Sequence, residues 1–155
     1  LAQVAAMRAK APAFALDPLA LHADHGAAVA EVLAWAASRL EKGPILIHST
    51  AEPEAVSRAQ AALGREAAGA LVEESIAAIA RDLVARGVRR LVVAGGETSG
   101  AVVSALGVTA LEIGPQIAPG VPATLSYGEP RLALALKSGN FGGPEFFTEA
   151  LEALQ

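Results

Sequence analysis

Seven residues carry the strongest chemical signal in this sequence: Ala94-Gly95-Gly96-Glu97-Thr98-Ser99-Gly100. They follow the apolar run Leu91-Val92-Val93 and precede the helix-like stretch Ala101-Val102-Val103-Ser104-Ala105-Leu106, which stops at Gly107. A strand, a glycine turn and a helix in that order let bare backbone N–H groups face a phosphate. Gly95 and Gly96 let a ligand approach the backbone. Thr98 and Ser99 offer capping oxygens for the following helix, and hydroxyls for a phosphate or a metal-bound water. Glu97 offers a carboxylate to Mg²⁺ through water, or to a ribose. The loop lacks the Gly-Lys-Ser/Thr ending of a Walker A motif, and it is not Gly-x-Gly-x-x-Gly.

A second glycine loop, Lys137-Ser138-Gly139-Asn140-Phe141-Gly142-Gly143, follows another apolar run. Lys137 either meets a phosphate as a point charge or is solvated beside a turn that caps the last strand. Ser138, Gly139 and Asn140 are candidate donors, and Phe141 is either a loop anchor or a stacking face for a base. Two such loops after two strands point to one shared anion site in a nucleotide-binding domain. His48-Ser49-Thr50 ends the apolar strand Ile45–His48, and the carboxyl ends of such strands are where α/β ligand sites form. His22-x-x-His25 has metal-pair spacing but no third ligand, so capping or surface histidines are the simpler account. No Gly-x-Ser-x-Gly elbow is present, and no catalytic base stands out.

The elements that must position these loops alternate early and crowd late. Helices are expected over Ala2–Lys10, Pro18–Leu40 and Pro53–Arg86, the last with a break at Gly64. On its second half Leu71, Ile76, Ile79, Ala80 and Leu83 share one face. Strands are expected at Ala13–Leu16, Ile45–His48, Leu91–Ala94, Thr109–Ile113, Ala123–Tyr127 and Leu132–Lys137, and Pro144–Leu154 closes the chain as a helix. Pro115, Pro119, Gly120 and Pro122 form a stiff turn region, and Gly128-Glu129-Pro130 a hairpin turn. Trp35, Phe14 and Phe146 are assigned to the core. The fold class is α/β: a layered mixed, mainly parallel sheet flanked by helices, Rossmann-like, in one domain over residues 1–155.

Composition narrows the function classes. A net charge of −4 argues against a general nucleic-acid binder. The 53% apolar content includes no span free of charges and breakers that is long enough for a membrane helix. There is no cysteine, so disulfide and thiolate chemistry are out. The lack of cysteine fits a cytoplasmic protein, and a start with neither an initiator methionine nor a signal-peptide pattern suggests a piece of something longer.

Three segments carry a family resemblance: Ala94–Val102, Pro119-Gly120-Val121-Pro122 and Leu134–Gly142, in that order. Together they resemble the C-terminal nucleotide-binding domain of the four-carbon acid sugar kinases, some of which have been labelled Hrp-dependent type III effectors. The resemblance implies an ATP- and Mg²⁺-dependent kinase for threonate, erythronate or 3-oxo-tetronate type acids. It places ATP contacts on Gly95, Gly96, Glu97, Thr98, Ser99 and Gly139. It also implies an N-terminal domain with an Asp-Asp-x-Thr-Gly motif that holds the sugar acid, and a Gly-Ser motif ahead of Leu1. A homodimer is compatible with the apolar helix Leu71–Val84. The alternatives are a non-catalytic effector module and a phosphosugar sensor using the same loops.

Overall fold

Glycine, proline and aspartate set most of the breaks between elements. The computed structural model describes residues 1–139 and 141–154. It divides into two units, Leu1–Ile79 and Ala80–Gln155.

The first unit contains α1 (Ala2–Arg8), β1 (Ala13–Ala15), α2 (Pro18–Ala23), α3 (His25–Ala37), a 3₁₀ turn (Leu40–Lys42), β2 (Leu46–His48) and α4 (Pro53–Leu63). A long helix, α5 (Arg65–Ala85), begins here and ends in the second unit. β1 and β2 pair in parallel, from Ala13 opposite Leu46 to Ala15 opposite His48. Gly64, at φ +83°, separates α4 from α5 where the sequence places a break. The single helix expected over Pro18–Leu40 is instead two. Asp24 leaves the helical region (φ −154°, ψ 92°), and its carboxylate accepts from the Ala27 N–H to cap α3. Asp17 caps α2 in the same way through Leu19. A short acidic side chain satisfies orphan N–H groups better at a helix start than inside one. Phe14 and Trp35 are half-buried rather than central, packed edge to face at 5.4 Å. The Arg39 guanidinium covers the indole at 4.7 Å.

The second unit holds the end of α5, then β3 (Arg90–Ala94), α6 (Gly96–Ala105), β4 (Leu111–Ala118), β5 (Val121–Ser126), β6 (Ala133–Lys137) and α7 (Phe146–Ala153). Its sheet runs β3-β6-β5-β4. β6 is parallel to β3 and antiparallel to β5, and β5 is antiparallel to β4. The core joins buried Val84, Leu132 and Leu134 to Leu91, Leu106, Val108, Leu111 and Leu136. α7 adds buried Phe146, Phe147 and Ala150.

The fold is therefore α/β with a mixed sheet, but the expected single layered sheet is two sheets. Of the described pairings, β1–β2 and β3–β6 are parallel, and β4–β5 and β5–β6 antiparallel. The cause lies in the connections. The Pro119-Gly120 and Gly128–Arg131 turns are too short for a crossover, so they can only make hairpins. β4 also runs past Ile113, through Pro115 to Ala118, with its register shifting between Ile113 and Gln116. A proline is tolerated there because β4 is an edge strand. No helix among the described residues is long and apolar enough to cross a membrane.

Candidate functional site

The chain leaves β3 through Gly95 at φ +113°, a conformation that L side chains avoid. An added Cβ there would lie 3.0 Å from the Thr98 Oγ1. The Gly95 N–H donates to the Lys137 carbonyl at 2.9 Å, and its own carbonyl accepts from the Ser99 N–H at 2.8 Å. Gly95 is thus the N-cap of α6, and no side chain among the described residues caps the helix.

This corrects the capping role expected for Thr98 and Ser99. The helix starts at Gly96 rather than Ala101, so both hydroxyl residues lie inside its first turn. Propensity alone discounts two glycines as helix residues, and tertiary packing of α6 on β3 and β6 overrides it. The N–H groups of Gly96, Glu97 and Thr98 meet no acceptor among the described residues. They are the orphan donors at the positive end of a helix. Glu97 is exposed beside them. Ser99 is buried, and its Oγ has no hydrogen-bond partner among the described residues.

The second glycine loop lies alongside. Ala94 and Lys137 are in register at the carboxyl ends of β3 and β6. A Cβ on Gly96 would sit 3.5 Å from the Ser138 Cβ. Gly139 is exposed, at φ +55°. Asn140 lies outside the described residues. Phe141 is 47% exposed, and its ring edge is 3.3 Å from where a Cβ on Gly120 would be. The three segments that carry the family resemblance therefore meet at one end of the second unit's sheet.

Lys137 does not project as a free charge. It is 3% exposed, and its Nζ donates to the Gly139 carbonyl at 2.7 Å and lies 5.5 Å from the Phe146 ring centroid. Desolvation holds its pKa below the usual lysine value. The signal for this burial was its place as the last residue of the apolar strand Ala133–Lys137.

His48, Ser49 and Thr50 belong to the first unit, whereas both glycine loops belong to the second. The His48 Nδ1–H donates to the Thr50 carbonyl at 3.1 Å. Desolvation lowers the His48 pKa, the Thr50 bond opposes the shift, and Arg8 adds to it. His22 and His25 fall on separate helices. The His25 Nε2 is 3.1 Å from the Ser75 Oγ, whose hydroxyl donates to the Leu71 carbonyl at 2.6 Å. The imidazole is therefore the donor in that pair. Ser75 is fully buried on α5 and was not singled out by the sequence, since one serine among alanines and isoleucines gives no period of its own. Among the described residues no three His, Asp or Glu side chains cluster as a metal site.

The profile of the nucleotide-binding C-terminal domain family matches residues 1–147. The 3-oxo-tetronate kinase of Cupriavidus necator is 61% identical over 144 residues, covering 92% of this chain and 32% of that protein. The chain spans about a third of the length of the curated relatives it matches. A Haemophilus influenzae crystal structure superposes with a TM-score of 0.89 at 37% identity, over 99% of this chain and 37% of that one. A Bordetella bronchiseptica structure, a domain-swapped dimer with bound citrate, gives 0.71 at 26% identity, over 99% and 37%. With the family profile running through both units and both glycine loops, this chain belongs to the nucleotide-binding C-terminal domains.

Proposed function

We propose that this chain is the ATP-binding part of a longer two-domain kinase acting on a four-carbon sugar acid of the 3-oxo-tetronate type. The observation that carries the proposal is the N-terminus of α6, whose Gly96, Glu97 and Thr98 N–H groups meet no acceptor among the described residues and lie beside the Gly139 turn. The name of the Cupriavidus necator relative supplies the substrate class. The parallel β3–β6 pair, with α6 leaving β3, supports a Rossmann-like reading of this end of the sheet.

Phosphoryl transfer is mostly positioning and electrostatic stabilisation. The α6 N–H groups and dipole suit a polyphosphate, and the unpartnered Ser99 hydroxyl adds a donor close to them. Gly95 and Gly139 keep side chains out of the approach. Glu97 is the carboxylate suited to Mg²⁺, which is commonly held by one or two carboxylates and the substrate phosphates. Bound there, Mg²⁺ would neutralise developing phosphate charge. The sugar acid and the base for its hydroxyl would come from the N-terminal domain. The Bordetella bronchiseptica dimer supports a homodimer.

Calorimetry with ATP, with and without Mg²⁺, tests this on the full-length protein. Saturable, Mg²⁺-dependent binding is expected. In Gly96→Phe that binding falls at least tenfold, because the ring fills the approach to the α6 N–H groups. Gly96 is exposed, so the fold survives. Unchanged affinity in a folded Gly96→Phe protein overturns the loop assignment. Absence of both ATP binding and sugar-acid phosphorylation overturns the kinase.

A further inference from the structure

Lys137 is the buried charge that the site as described leaves without a task. Its ammonium carries three donors. One is used by the Gly139 carbonyl, and the Phe146 ring faces the group at 5.5 Å. No carboxylate pairs with it among the described residues. Burying an unpaired ammonium is costly, and the lowered pKa of Lys137 reflects the same desolvation. A structural clamp on one carbonyl does not require that cost, since a neutral donor would make the same bond. Among the described residues the charge has no counter-ion, and it lies next to the turn that, on the kinase reading, contacts ATP.

We propose that Lys137 is a positioning residue of the nucleotide site: its buried ammonium holds the Gly139 turn against the end of β6, and the phosphates of the nucleotide supply its missing counter-charge. This rests on the kinase reading. It makes the ammonium a poor contributor to the empty domain and a strong one to the loaded domain. Fixing the turn and awaiting an anion are separable from folding, so the assignment differs from a packing role in what it predicts.

The test uses the full-length enzyme with Lys137→Met, which keeps the stem and removes the charge, and Lys137→Gln, which keeps an N–H donor. Thermal unfolding is followed without ligand and with ATP, and KM is measured for ATP and for the sugar acid. Both variants should unfold at or above the wild-type temperature without ligand. Both should raise the KM for ATP at least tenfold, lose most of the ATP-induced rise in Tm, and leave the KM for the sugar acid unmoved. A lower ligand-free Tm with unchanged ATP affinity makes Lys137 a structural clamp and overturns the proposal. So does failure of both variants to fold. If only the Met variant fails, the Gln variant decides by the same KM criterion. Wild-type enzyme that neither binds nor uses ATP overturns the kinase reading and this assignment together. Wild-type binding with unaltered variants overturns this assignment alone.

Discussion

At the scale of single residues, the second glycine loop depends on one position more than its glycine count suggests. Gly142 stands at φ +82°, and an added Cβ would overlap the Phe146 ring. Phe146 is fully buried and is the ring facing Lys137. Gly142→Ala therefore combines left-handed backbone strain with overpacking, and should destabilise the protein by about 2–4 kcal/mol. Urea unfolding measures this, and a loss below about 1 kcal/mol would mean that the loop relaxes around the methyl group. Gly100 and Gly143, with open space at the Cβ position and no positive φ, should accept alanine far more readily. The sequence shows all these glycines alike. Only the folded chain distinguishes the one pressed against a ring from those facing open space.

At the scale of elements, Asp24 is the informative site. Its carboxylate starts α3, so Asp24→Ala should cost about 1 kcal/mol through the lost cap. Denaturant titration with an unchanged slope is the expected result. No loss would mean that α2 and α3 fuse into the single helix that residues 18–40 suggest by periodicity. That misreading shows where legibility ended. Strand and helix identities were readable because Ile45–His48, Leu91–Ala94 and Leu132–Lys137 are apolar runs bounded by breakers, and because Gly64 and Gly87 are punctuation. Gly95, Gly96 and Gly139 were legible as loop glycines because they directly follow apolar strands. The helical state of Gly96–Ser99, the inward turn of Lys137, the buried Ser75 and the division into two sheets were not readable. Each depends on a partner distant in sequence: Ser138 for Gly96, Phe146 for Lys137, His25 for Ser75, and strand pairing for the sheets.

For the whole molecule, the clearest measurable property is how stability responds to acid. Desolvation holds the His48 pKa in the fold below the ordinary value of 6.5, which the unfolded chain restores. The unfolded state therefore takes up the proton first, so stability rises with pH across this window. The contribution is complete above about pH 6.5 and is lost as pH falls toward the depressed folded value. Unfolding free energies from pH 7.5 to 5 should decline, and His48→Asn should flatten the decline. An equal slope in the variant would assign the acid sensitivity to other groups.

The strand order of the second unit also has a consequence for synthesis on the ribosome. Of the described strands of this sheet, β6 comes last in sequence, yet it sits between β3 and β5. While the chain emerges, the β4–β5 hairpin can form early, but β3 pairs only with β6 among the described strands and so waits until Lys137 has left the exit tunnel. The two glycine loops are then joined in the same closing event, since the Gly95 N–H bonds to the Lys137 carbonyl. The half-made unit carries an open β3 edge until β6 arrives, and a chain truncated before residue 133 is the form most exposed to aggregation.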